Sequence, residues 1–267
     1  TAVGLHIAPA GRVYVLPNVA GYVGADTMGV ILATGIDRSP RLKLAIDIGT
    51  NGEIVLGNRQ RLVACSTAAG PAFEGARISC GMMAAEGAID HVDLAQGDLR
   101  WHVIGGGRAR GLCGSGLVDL AAILLQQGVI APDGRLLSPT RLPPDVPPGL
   151  ATRLMAGEDG AEFSLFQDDR MGPPLRITQG DIRELQLAKG AMRAGIEILL
   201  KELGVQAQDV TQVYLAGAFG NYVRPASAQA IGLLPPFPQA RLTPMGNAAG
   251  AGAQMALLSV AARRRLV

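Results

Sequence analysis

The stretch "LAIDIGTNGEIVLG", residues 44–57, decides how this chain folds. An apolar run ends on a single Asp, enters a turn of small residues and resumes as a second apolar run. Apolar segments of this length, bounded by Gly and Asn, read as strands. A strand over 43–48, a second over 53–57 and a third over 61–66 beyond the polar "GNRQ" turn make an antiparallel meander. Asp47 is tied into the sheet by its backbone, so its carboxylate is held at the mouth of the turn. Gly49, Thr50, Asn51 and Gly52 turn tightly and offer backbone N–H groups with little steric cover. Such concave sets of amides bind anions, phosphate above all. Asp47 would be repelled by phosphate itself, but it can hold a hydrated magnesium ion or orient a water before the last phosphate. The alternative is a hairpin whose Asp only caps the turn.

Three further turns of small residues repeat the theme. "LCGSGLVDL" places Gly114, Ser115 and Gly116 before an apolar helix, whose N-terminus supplies free N–H groups and partial positive charge. The competing reading is a Ser cap with glycines needed for packing. "VYLAGAFGN" follows another apolar strand; there Gly217, Ala218, Gly220 and Asn221 would let a flat ring approach the backbone. "MGNAAGAG", with Gly246 and Asn247, opens the last helix. One such turn says little; four at strand or helix ends, the first with an Asp, point to a nucleotide site.

Composition narrows the class. The chain has 267 residues, 36 of them glycine, and a net charge of +2, which suits a compact α/β protein and no polyanionic partner. The arginines of "ARRRLV" suit the negative pole of a helix end better than nucleic acid. Cys65, Cys80 and Cys113 form no paired spacing, so neither a disulfide framework, a zinc site nor an iron–sulfur motif is suggested, and a reducing cytoplasm is expected. No apolar run reaches the roughly 18 residues of a membrane span, and no signal peptide opens the chain.

The remaining pattern supplies the elements around the turns. A strand is expected over 12–17 and a helix over 24–36, closed by Gly35. Residues 67–87 read as a Gly/Ala-rich loop with short helical pieces, and 88–94 with 100–105 as a hairpin. A buried helix starts at Gly114. Prolines break the segment 131–149, and "EFSLFQ" and "LRIT" read as short strands. The clearest helix runs over 178–203, where Ile182, Leu185, Ala188, Met192, Ile196, Leu199 and Leu203 recur at helical spacing before Gly204. A final helix is expected from Gly246 to the terminal arginines.

"DIGTN" and "VYLAGAFGN" resemble the first phosphate loop and the adenosine loop of the superfamily of acetate and sugar kinases, heat-shock chaperones and actin; "CGSG" resembles its second phosphate loop. More closely, "LAIDIGTNGEIVLG", "CSTAAGPAFEGARISCGM", "GAI", "GLCGSGLVDLAAILL", "LAGAFGNYV" and "GNAAGAGA", in this order, look like the C-terminal ATPase domain of the corrinoid-protein reductive activators. The resemblance implies an α/β fold of two ribonuclease H-like lobes with a nucleotide cleft between them. The expected lobes are residues 1–110, with the first phosphate loop, and 111–267, with the second phosphate and adenosine loops. It implies ATP and Mg2+ as ligands, with Asp47 near the metal and the attacking water and Thr50 and Asn51 around the phosphates. It also implies a job: using ATP to help return an inactive Co(II) corrinoid protein of a methyltransferase system to Co(I). That corrinoid protein is the expected partner; neither nucleic acid nor membrane is, and homodimerisation is left open. Family members carry an N-terminal domain with a two-iron two-sulfur cluster, which is expected to be absent from this chain.

Glu74, in "GPAFEGA", is a charge in a loop of small residues and the second candidate for orienting water, or for touching a partner. Glu53 could face the cleft or solvent, and Asp26 reads chiefly as a helix N-terminal residue. His6, His91 and His102 lack metal spacing, and Ser66 and Thr67 resemble no hydrolase elbow. Two other functions stay open: a small-molecule kinase of the same fold, which would need a group to clamp its acceptor, and a nucleotide-gated protein-binding module.

Overall fold

The computed structural model describes residues 4, 6–8, 10–166, 174–220 and 222–266. In chain order these form α1 (Ala25–Thr34), β1 (Lys43–Ile48), β2 (Gly52–Gly57), β3 (Leu62–Thr67), β4 (Ala88–Ala95), β5 (Asp98–Val103), β6 (Gly111–Leu112) and α2 (Gly114–Gln126). Then come α3 (Pro148–Ala151), β7 (Leu154–Gly157), β8 (Gly160–Ser164), β9 (Arg176–Thr178) and α4 (Gln179–Leu203). The last are β10 (Gln212–Ala216), α5 (Gly217–Gly220), α6 (Pro225–Ala230), β11 (Arg241–Gly246), α7 (Ala248–Leu258) and α8 (Val260–Arg264).

The main sheet has the order β11-β10-β1-β2-β3. The expected meander is there: β1 pairs antiparallel with β2, and β2 with β3. The other edge of β1 takes β10 in parallel, and β10 takes β11 in parallel. The sheet therefore joins residues from both sides of position 110. Its inner strands β1 and β2 are mostly buried and apolar on both faces because both faces are covered. Leu44, Ile46, Ile54 and Leu56 share one buried cluster with Met192 and Ile196 of α4. Ala45 and Val55 share another with Val30 and Ile31 of α1 and Ala248 of α7.

The small residues of α7 have a packing role. A Cβ on Gly252 would lie 2.0 Å from the Gly29 carbonyl oxygen, so α1 and α7 touch backbone to backbone. α4 is fixed at both ends: Thr178 and Asp181 form a capping box, and Gly204 closes the helix in the left-handed conformation. The second sheet, β5-β4-β6, pairs the expected hairpin with β6 in parallel. A third, β7-β8-β9, is antiparallel.

Some expectations fail for physical reasons. Residues 12–17 are not a strand; Val13 and Val15 are 51% and 76% exposed, and Tyr14 lies under the Arg263 guanidinium instead of pairing with a sheet. β7 and β11 were not anticipated. β11 contains Pro244, which an edge strand tolerates because one side of its ladder needs no donor. The final helix is interrupted at Ser259, whose extended backbone ends α7 and whose side chain caps α8.

Candidate functional site

β1 and β10 run parallel and side by side, so their C-terminal turns open together. Asp47 stands opposite Ala216 on β10 and opposite Glu53 on β2. A cavity of about 690 Å³ opens at this edge. Asp47, Gly49 and Glu74 line one part of it, Gly114 and Ser115 at the start of α2 another, and Gly217, Phe219, Tyr222 and Asn247 a third. Three of the sequence's glycine turns and the N-terminus of the last long helix thus meet at one space.

Gly217 has φ +86°, and a Cβ there would fall 2.7 Å from Asp47 Oδ1. Glycine at this position leaves the half-buried Asp47 carboxylate its place at the cavity wall. Burial pushes the Asp47 carboxyl up from 3.8 to about 6, with Glu53 and then Asp26 adding like-charge repulsion. Glu53 is raised too, chiefly by burial, although Ser66 Oγ donates to it at 3.1 Å. Such an elevated carboxyl is relieved by a bound cation. One carboxylate facing a phosphate-sized space fits the way magnesium is held, by one or two carboxylates plus phosphate oxygens and water. Among the described residues no group of three or more His, Cys, Asp or Glu is placed to hold a metal alone.

The first turn is internally braced. Gly49 N–H donates to the Asn51 carbonyl at 3.0 Å, and Gly70 N–H donates to the Thr50 carbonyl at 2.9 Å. Thr50 Oγ1 donates to Glu74 Oε1 at 2.5 Å. Glu74 belongs to a short 3-10 turn, Pro71–Glu74, within the Gly/Ala-rich loop. Gly52 faces away: a Cβ there would lie 1.9 Å from Met192 Sδ on α4.

At the second turn, Gly114 is forced by contact, since its Cβ would lie 2.0 Å from the Phe73 carbonyl oxygen. Ser115 is buried, and its hydroxyl donates to the Asp90 carbonyl at 2.8 Å, so it braces α2 against β4. Gly116 packs on β4, where a Cβ would meet the Ile89 carbonyl at 2.4 Å. At the third turn Gly220 packs on Leu215, with its Cβ position 2.9 Å from that residue's carbonyl carbon. Ala218 falls within α5, and Asn221 lies outside the described residues. Gly246 ends β11 at φ +58°, and Asn247 caps α7 by accepting from Gly250 N–H at 2.7 Å.

Sequence reasoning missed the aromatic wall. Phe73 and Phe219 stack with centroids 4.7 Å apart, and Tyr222 and Met83 stand beside them at the cavity. The chain has only five Phe, and two lie in glycine-rich segments; that scarcity was the available signal. His91 and His102 are structural: His102 Nδ1 lies 2.6 Å from Asp90 Oδ1, and His91 Nδ1 lies 3.4 Å from Asp119 Oδ2.

This fold and site define a domain of the acetate and sugar kinase, heat-shock protein and actin class, the ASKHA class. Residues 41–267 match the family described as the C-terminal domain of RACo, the ASKHA domain, and residues 1–39 match the RACo middle region. The chain belongs to that family. Corrinoid activation enzyme RamQ of Eubacterium limosum is 40% identical over 258 residues, covering 96% of this chain and 43% of RamQ. The Co(II) methylated amine-specific corrinoid protein reductase of Methanosarcina barkeri is 28% identical over 265 residues, covering 88% of this chain and 42% of the reductase. The solved structure of a reductive activator for corrinoid, iron-sulfur protein superposes with a TM-score of 0.84 at 38% identity, over 97% of this chain and 40% of that one. The chain thus spans less than half the length of these relatives. No described helix is long and apolar enough to cross a membrane.

Proposed function

We propose that this chain is the ATP-binding and ATP-hydrolysing part of a reductive activator that returns a Co(II) corrinoid protein to Co(I), working in the cytoplasm. The observation that carries the reading is the Asp47 carboxylate lining a cavity walled by the three glycine turns. Thr50 and the amides of its turn take the phosphates, with the start of α2 supplying N–H groups from the opposite side. Asp47 would hold Mg2+, and the ion would supply charge neutralisation to the phosphates. Phe219 and Tyr222 offer flat apolar surface to a base. Asp47 and Glu74 orient the attacking water. The names of RamQ and its relatives support a corrinoid protein as the partner. The Gly/Ala-rich segment from Thr67 to Gly87 forms part of its docking surface: it borders the Asp47 turn and presents Met83, 73% exposed.

The test is ATP turnover with and without a Co(II) corrinoid protein. Magnesium-dependent hydrolysis that rises on adding the partner is expected. Phosphate transfer to a small acceptor, with no response to the corrinoid protein, would replace this reading with a kinase.

A further inference from the structure

We infer that Glu74 makes this site select metal-loaded nucleotide over free nucleotide; the inference rests on the nucleotide reading above. Thr50 sits in the turn that faces the cavity, and its one hydroxyl proton is already given to Glu74 at 2.5 Å. That proton can go to the carboxylate or to a phosphate oxygen, not to both. A phosphate arriving at the turn therefore meets an occupied donor and a negative charge at the same spot.

Glu74 cannot retreat by moving its backbone. The preceding Phe73 is 3% exposed and stacked on Phe219. Its carbonyl lies against Gly114, at a distance where even a Cβ could not be fitted. The following Gly75 has φ +80°, and a Cβ there would lie 2.5 Å from Met82 N, so the chain is pinned on that side too. The dipeptide Phe73–Glu74 thereby touches all three turns: Thr50 of the first, Gly114 of the second and Phe219 of the third. Only the Glu74 side chain is free to adjust, and its carboxylate stays within reach of the first turn.

A divalent cation resolves the conflict, because its charge offsets both the carboxylate and the phosphates. Free nucleotide brings no such compensation and bears the repulsion in full. Glu74 thus acts as a specificity-determining group, independent of any part it takes in orienting water.

The experiment measures ADP binding to this chain and to Glu74→Gln by calorimetry, with excess Mg2+ and with excess EDTA. Gln keeps an acceptor for Thr50 and removes the charge; the site is at the surface, so the variant is expected to fold. In EDTA the variant should bind ADP roughly tenfold tighter than the unaltered chain, a coupling of ordinary size. With Mg2+ the two should differ much less. A merely structural role would not move this metal-dependence ratio. An unchanged ratio, or weaker binding by the variant in EDTA, overturns the inference while leaving the nucleotide site intact. No ADP binding by either protein under either condition overturns the nucleotide reading along with it.

Discussion

Gly217 leaves room beside the half-buried Asp47 carboxylate: a Cβ on Gly217 would lie 2.7 Å from Asp47 Oδ1 and 2.5 Å from the Ile48 carbonyl oxygen. The two residues come from parts of the sequence 170 positions apart, brought together because β1 and β10 pair in parallel with Asp47 opposite Ala216. The contact is tight because the third turn must leave β10 immediately, at φ +86°.

Gly217→Ala should consequently fail in two ways. The positive φ and the backbone contact should cost about 1–3 kcal/mol of stability. The displaced Asp47 should lower ATP turnover roughly a hundredfold, as a misplacement of about 1 Å at a reacting centre does. Denaturant unfolding and steady-state turnover read the two effects separately. Turnover at the parental rate would show that this contact does not position Asp47.

Asp47 itself gives a pH prediction. Its carboxyl titrates near 6 in the folded protein against 3.8 ordinarily, because of burial first and of Glu53 and Asp26 second. Between those values the native state holds the proton more firmly than the unfolded chain. The stability due to this group is therefore complete below pH 3.8 and is lost as pH rises through about 6. Asp47→Asn should be the more stable protein at pH 8, with the difference closing by pH 4, and it should lose ATP turnover. In the parent, Mg2+ should move the titration below 6 by favouring the carboxylate. A variant less stable than the parent at pH 8 would mean that the Asp47 carboxylate shapes the turn.

Asp181 ties the Gly/Ala-rich loop to the long helix. Its Oδ2 closes the α4 capping box with Thr178 N–H at 2.8 Å, and its Oδ1 accepts from Ser79 N–H at 2.7 Å. Asp181→Ala leaves these donors unsatisfied in a buried site and should cost about 2–4 kcal/mol. Thr178→Ala, which removes one cap alone, should cost about 1 kcal/mol. Equal losses in chemical denaturation would show that the Ser79 contacts contribute nothing.

The local part of the candidate site was legible in the sequence and the long-range part was not. Asp47 and its turn could be read because strand, carboxylate and glycines lie within one short stretch. The α4 helix could be read from its period and its cap. The bond from Thr50 to Glu74 crosses 24 positions and the stack of Phe73 on Phe219 crosses far more; no local pattern encodes either. Gly52 and Gly116 looked like phosphate-loop residues and Gly220 like a base-facing one, yet each is glycine where another part of the fold presses on it. Small residues signal close approach, and sequence alone does not tell whether the approaching group is a ligand or the protein itself. The strand expected over 12–17 failed for the related reason that apolar alternation does not supply a partner edge.

The last prediction concerns what this chain does without the rest of an activator. Docking a corrinoid protein needs only a surface, and the segment proposed for part of it, Thr67 to Gly87, is joined to the candidate site through Phe73 and Glu74. A ligand shifts a conformational equilibrium only by its differential affinity for the two states. ATP should therefore change the affinity of this chain for the corrinoid protein, and the corrinoid protein should change its affinity for ATP by the same factor. Delivering an electron is a separate requirement. A two-iron two-sulfur cluster takes four ligands, commonly four thiolates, and this chain has three cysteines with no paired spacing. Mixed with a Co(II) corrinoid protein, ATP and a reductant too weak to act alone, the chain should bind its partner and leave the visible spectrum of Co(II) unchanged. Appearance of the Co(I) spectrum under those conditions would place the electron path within these 267 residues and refute the division of labour.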